Sequence, residues 1–200
     1  MRHFFRKQSD VPFLYRKVLL TEKTCDEILE EFIKNEQLQK KVDNDSKNST
    51  DIPWKFSRRN TNILLSKSTN YIWDTLQIAL HEYTKLYPTI HDLNLSWGIN
   101  DSFNFQYYNP GQGFANYHTE NLPFLSRFLV WTLYLSNTFD GGTQFRHYNN
   151  HIEKCKPGKM VIFPANWTFS HRSQISYTTP KFLATGWLRF DNIKQFNLKE

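Results

Sequence analysis

The sequence predicts an α+β chain, with helices in the first half and then a β core of the sandwich or jelly-roll kind. Three observations carry that class. Apolar residues recur at helical spacing in two segments before residue 92. From residue 93 onward, short β-type runs succeed one another with no helical pattern between them. Turn-forming residues punctuate those runs, in Asn109-Pro110-Gly111, Asp140-Gly141-Gly142 and Pro157-Gly158. Six or more strands at such spacing form a sandwich or jelly roll, and helices followed by strands give an α+β domain.

In chain order, Val11 to Leu20 mixes apolar and basic residues and reads as a first strand. Thr21 fits an N-cap, with Glu22 placed to meet the positive end of the helix dipole. Cys25, Ile28, Leu29, Phe32 and Ile33 follow at i, i+3, i+4, i+7 and i+8, an amphipathic helix ending near Asn35. Gln37 to Asp51 is polar and without period, which predicts a surface loop near the mouth of a site. Trp54 to Leu65 reads as extended. Ile72, Leu76, Ala79, Leu80 and Tyr83 mark a second helix, closed by Pro88. Later strands are expected at Asp101–Tyr108, Phe128–Leu135, Gly142–His147, Lys159–Phe163 and Phe182–Phe190.

Two hundred residues fit a single domain, with a helical part over about 1–92 and a β core over about 93–192. A hydrophobic content of 39% and an aromatic content of 16% exclude a disordered chain, and only 7 glycines exclude a fibrous one. The net charge of +6 favours acidic partners, nucleic acid among them, yet no basic block interleaved with aromatics stands out. Cys25 and Cys155 form no CxxC and no framework, so both are expected as reduced thiols. The first residues, MRHFFRKQSDVPF, hold no apolar core, and no run of 18 apolar residues occurs. A soluble, cytoplasmic protein is the expectation.

The chemistry gathers in the second half. In His118-Thr119-Glu120 an imidazole and a carboxylate stand two positions apart, on one face if Tyr117 to Asn121 is extended. His171 arrives 51 residues after Glu120, far enough for several strands to cross and return. Two histidines and a carboxylate on one side of a non-heme Fe(II) leave the other positions open for oxygen and an organic cosubstrate. Lys181, ten residues after His171, offers a cation for the far end of that cosubstrate. Each candidate ligand follows a hairpin signal, where a rigid barrel can aim it.

These residues sit in a wider pattern. Tyr108-x-x-Gly111, His118-x-Glu120, Thr132-Leu133-Tyr134-Leu135-Ser136, Gly141-Gly142-Thr143-x-Phe145, Pro157-Gly158-x-x-Val161-Ile162-Phe163, His171 with Lys181 and finally Trp187 occur in this order. The pattern resembles the Fe(II)- and 2-oxoglutarate-dependent dioxygenases, in their prolyl 4-hydroxylase-like branch, closely over about 100–190 and loosely over 11–35. The resemblance implies a double-stranded β-helix (jelly-roll) core with N-terminal helices packed on one face. It implies Fe(II) held by His118, Glu120 and His171, and 2-oxoglutarate bound by Lys181, Tyr134, Tyr108 and Thr185. Arg127 and Trp187 match positions on the substrate side. O2 as co-reactant, succinate and CO2 as products and ascorbate as a reductant are implied likewise, with a prolyl or other residue of a peptide or protein as the target. Glu120 departs from the family, which usually has the shorter Asp there.

Two other classes stay open at this level. A nucleobase oxidative demethylase would suit the positive charge, but that branch resembles an arginine-based clamp rather than Lys181. A non-enzymatic barrel would have no use for three ligands. Elsewhere, His147 and His151 read as solvated loop residues, His81 and His91 as structural, and Tyr107 as packing. Arg189 reads equally as a surface charge. The aromatic run Asn166 to Ser170 is a wall of the site or plain core. Substrate contacts are expected on the loops 37–62 and 121–127.

Overall fold

The computed structural model describes residues 11–55, 66–93, 95–121 and 126–190. Ten strands and two helices are described: β1 (Tyr15–Val18), α1 (Glu22–Lys34), β2 (Lys40–Asp43), β3 (Asn48–Lys55), α2 (Ser66–Leu86), β4 (Trp97–Tyr108), β5 (Arg127–Tyr134), β6 (Thr138–Phe145), β7 (His151–Cys155), β8 (Lys159–Pro164), β9 (His171–Gln174) and β10 (Lys181–Phe190). The larger sheet runs β1-β8-β5-β10-β4-β3-β2 and the smaller β7-β6-β9. Every pairing between these strands is antiparallel. Together the two sheets form the jelly roll.

The central strand β5 is buried from Leu129 to Tyr134 because both faces of the larger sheet are covered. Strand alternation sorts its residues into two cores. Leu129, Trp131 and Leu133 join Phe103, Phe105, Phe182 and Ala184 in a cluster with Cys25, Ile28 and Phe32 of α1 and Ile72, Leu76, Ala79 and Tyr83 of α2. Val130 and Tyr134 face the other way, with Tyr108, Val161, Phe163 and Leu183, and meet Phe145 and Cys155 of the smaller sheet. The second cluster is the barrel interior, and the candidate site lies at its end.

α1 begins as its sequence requires: Thr21 Oγ1 accepts from Thr24 N–H at 3.1 Å, and Glu22 occupies the first turn. Three expectations change. The first strand is only Tyr15–Val18, since Leu14 N–H turns back to Val11 O at 3.3 Å and Phe13 has a φ of 62°. The segment from Gln37 to Asp51 is a short 3-10 turn followed by most of a hairpin, β2 and β3, turned at Asn44, whose Oδ1 accepts from Ser46 and Lys47 N–H. Its polar sequence suits a sheet edge, where β3 is held to β4 by main-chain pairing and side chains need no apolar period. His151 is not a solvated loop residue but opens β7, half-buried beside Arg16 and Glu153. Trp54 and Lys55 close β3, while the rest of the extended run expected to Leu65 lies outside the described residues.

Cys25 and Cys155 are free and buried. No described helix is long and apolar enough to cross a membrane.

Candidate active site

His118 belongs to no strand, yet it forms an isolated antiparallel bridge with His171 at the start of β9. Glu120 follows with its N–H, and that of Asn121, directed at Ala165 O, at 3.2 and 2.9 Å. Both histidines are oriented the same way. His118 Nδ1 lies 2.9 Å from Asn116 O, and His171 Nδ1 lies 2.9 Å from Phe169 O. A carbonyl can only accept, so each Nδ1 carries a proton, and Nε2 is the atom that each ring offers to a metal. Those Nε2 atoms stand 3.5 Å and 4.0 Å from Glu120 Oε1.

The donor atoms of His118, Glu120 and His171 lie within 4.8 Å of one another and could hold a metal ion. Two imidazoles and one carboxylate suit a divalent transition metal, and the carbonyls behind each ring fix its orientation. His171 is wedged against Phe145 and Phe163, and burial, with His118 beside it, pulls its pKa down to about 4. It is therefore neutral at physiological pH. Burial would raise the Glu120 carboxyl, but the hydrogen bonding and positive charge that its neighbours offer, Arg127 among them, hold it below its ordinary value. Glu120 is thus a carboxylate, with Oε2 2.5 Å from Arg127 Nη1.

A cavity of about 430 Å³ opens beside these donors. Of the residues singled out from sequence, His118, Glu120, His171, Tyr108, Thr185, Arg127 and Trp187 line it. Lys181 and Tyr134 stand one layer behind. Lys181 is 1% exposed. Its Nζ donates to Ser173 Oγ and, at 2.6 Å, to Gln174 O, and lies 4.8 Å above the Tyr108 ring. It takes part in no ion pair among the described residues, and burial lowers it to about 8. A buried ammonium with only neutral partners is costly, and an anionic ligand would offset that cost. Tyr134 Oη lies 2.6 Å from Thr143 Oγ1, and burial pushes its phenol well up, so it stays neutral.

Ser173 and Thr143 line the cavity in front of these two residues, and neither was singled out from sequence. Both had a signal: Ser173 follows His171 by two on one strand, and Thr143 stands in the Gly-Gly-Thr landmark. Asn104 and Gln106 also line the cavity without having been expected there, and Lys47 does so from within the loop 37–62 where substrate contacts are expected. Lys47 is paired with Asp51 in the hairpin. Tyr107 packs with the helix-side cluster, and His147 meets the Trp167 ring rather than the donor set. Of the loops expected to meet substrate, 56–62 and 122–125 lie outside the described residues.

Residues 103–189, which hold the whole donor set, match the family model described as the 2OG-Fe(II) oxygenase superfamily. In sequence, this stretch is similar to that superfamily. A prolyl-4-hydroxylase from Pseudomonas putida matches the chain's structure with a TM-score of 0.63 at 14% identity, over 88% of this chain and 92% of its own. A viral collagen prolyl hydroxylase from Paramecium Bursaria Chlorella virus-1, solved with 2OG, gives 0.58 at 17% identity over 90% and 97%. A prolyl hydroxylase from Trichoplax adhaerens, in complex with a hypoxia inducible factor peptide fragment, gives 0.67 at 12% identity over 88% and 83%. At such identities the likeness is one of fold. None of the curated proteins matches in sequence.

The residues present fit the metal and the cosubstrate that the superfamily implies. The donor set has the right chemistry, and Lys181 supplies a buried cation in want of an anion.

Proposed function

We propose that this chain is an Fe(II)- and 2-oxoglutarate-dependent dioxygenase that hydroxylates a C–H bond on a prolyl or other residue of a peptide or protein. One observation carries the reading: His118 Nε2, His171 Nε2 and Glu120 Oε1 converge at the cavity, behind whose wall Lys181 sits with no ion-pair partner among the described residues. The peptide target is favoured by the prolyl hydroxylases of like fold, one of them bound to a peptide fragment.

Bound Fe(II) with 2-oxoglutarate and O2 would supply the oxidising chemistry, leaving succinate and CO2 as co-products. The chain's own residues do the rest. His118, Glu120 and His171 hold the metal from one side and leave the cavity side free. Lys181, Tyr134 and Tyr108 receive the distal carboxylate, the hydroxyls supplying the extra hydrogen bonds that a buried ion pair needs, and Thr185 adds a hydroxyl farther along the cavity wall. Phe114, Val130, Phe163 and Leu183 give the cavity an apolar wall that limits water. Trp187 and Arg127 line the side left for substrate, where Trp187 Nε1 and Arg127 Nε are buried without an acceptor among the described residues.

Succinate release that requires Fe(II) and 2-oxoglutarate, with ascorbate present, tests the activity. Proline-rich peptides and methylated oligonucleotides are then offered as prime substrates. Stimulation by peptides supports the reading, and stimulation by oligonucleotides alone overturns the peptide part of it.

A further inference from the structure

Glu120 lies outside the strands, between the His118 bridge and the point where its N–H and that of Asn121 reach Ala165 O. Its side chain has one rotatable bond more than an aspartate, so the backbone by itself leaves the carboxylate free to swing. In the structure its two oxygens are divided. Oε1 faces the imidazoles, at 3.5 Å from His118 Nε2 and 4.0 Å from His171 Nε2. Oε2 lies 2.5 Å from Arg127 Nη1, and the same Nη1 is 3.3 Å from the main-chain O of Glu120. One guanidinium nitrogen thus grips both the side chain and the backbone of the same residue.

Arg127 is itself held. It opens β5 opposite Arg189, and its guanidinium carbon sits 3.7 Å above the Trp187 ring. A planar guanidinium stacked in this way cannot follow a moving carboxylate as a lysine could.

We propose that Arg127 is the positioning residue for Glu120, engaging Oε2 so that Oε1 alone is presented to the metal. The inference rests on the reading of His118, Glu120 and His171 as metal ligands. It explains how a glutamate can stand where an aspartate is usual: the arginine takes up the freedom of the extra methylene. It also makes a prediction that charge alone contradicts. Arg127 is a cation close to a cation site, so removing it on purely Coulombic grounds would strengthen metal binding. Positioning demands the reverse.

The test is titration of the metal-free, full-length protein with Co(II) alone, followed by calorimetry and by the visible bands of the bound ion. Arg127→Ala is expected to weaken Co(II) binding roughly 10- to 100-fold, the range for losing a partner that orients a ligand. Its visible spectrum is expected to change as Oε2 becomes free to ligate. Arg127→Lys keeps the charge but not the planar contact, so it should recover only part of the affinity. Thermal unfolding of the metal-free variants establishes that they fold, and the lysine variant carries the comparison if the alanine variant does not. Co(II) binding by Arg127→Ala as tight as that of the wild type, or tighter, with an unchanged spectrum overturns the inference alone. A wild-type protein that binds Co(II) no better than His171→Ala overturns the ligand reading beneath it.

Discussion

His118 and His171 exchange both main-chain hydrogen bonds of an antiparallel pair, N–H to O at 2.9 Å in each direction, although His118 belongs to no strand. The bridge sets their imidazole centroids 4.5 Å apart. The two rings are therefore brought together by backbone pairing and not by the metal they could share. A site preformed in this way should take up metal without a large rearrangement, since the ordering of the chain is already complete.

That relationship makes the fold separable from the metal. His171→Ala leaves the main-chain bridge in place and is expected to fold, at a cost of about 1–2 kcal/mol for the gap beside Phe145 and Phe163. Wild-type protein with Co(II) at about 100 times its Kd should gain about 2.7 kcal/mol of stability. His171→Ala should gain almost none. Melting curves with and without Co(II) decide the matter, and an equal metal-induced rise in both proteins would exclude His171 as a ligand.

Lys181 gives the pH dependence. Burial lowers it from 10.5 to about 8. Between those values the unfolded chain holds a proton that the folded chain has released, so stability of the ligand-free protein rises with pH across that window. Binding of a carboxylate runs the other way, because it needs the ammonium. The affinity for 2-oxoglutarate should be flat below pH 8 and fall by up to about tenfold per pH unit above it. Calorimetric titration of the Co(II) protein between pH 7 and 9.5 measures this, and Lys181→Met should abolish both slopes. Affinity that is flat through pH 9.5 in the wild type would remove Lys181 from the cosubstrate site.

Much of this architecture is legible in the chain, for reasons that differ by element. Strands such as β5 and β8 announce themselves because both faces are buried and their sequences are nearly all apolar. The hairpin of β2 and β3 does not, since Lys40-Lys41-Val42-Asp43 is an edge strand held by main-chain bonds that any polar sequence can make. β9 is hidden for a related reason: His171-Arg172-Ser173-Gln174 has no apolar residue, its inward positions being given to the site. The donor set was readable from spacing and from resemblance together. Depth was not. Nothing in sequence says that Lys181 and Tyr134 stand behind Ser173 and Thr143, or that Glu120 meets Arg127 seven residues on. Those are facts of side-chain packing.

Gly186 tests the seat of the site from the core side. A Cβ there would come within 2.7 Å and 2.8 Å of the Trp131 ring and 2.9 Å of Phe103 Cβ. Trp131 is 1% exposed and Phe103 fully buried, so neither can move aside at low cost. Gly186→Ala is expected to destabilise the protein by about 1–3 kcal/mol through overpacking. Because Gly186 lies between Thr185 and Trp187, both on the cavity wall, the strain should also reach the site as a lowered affinity for 2-oxoglutarate. Denaturant unfolding with the same m-value as the wild type but an earlier midpoint would be the signature. An unchanged midpoint would mean that β10 yields more readily than its packing indicates.

Trp187 separates stability from recognition. Its Nε1 is buried and has no acceptor among the described residues, while its ring carries the Arg127 guanidinium and faces the cavity. A buried donor without a partner costs free energy that a phenyl ring would not incur. Trp187→Phe, which keeps an aromatic face for Arg127, should therefore be about as stable as the wild type or slightly more so, despite its smaller volume. If that N–H awaits a carbonyl oxygen of the substrate, its loss removes one hydrogen bond, worth about 0.5–1.5 kcal/mol, and raises KM for a peptide substrate roughly 2- to 10-fold. Unfolding midpoints and peptide KM values are measured on the same preparations. A variant that loses stability but binds peptide as the wild type does would show that the indole serves the core and not the substrate.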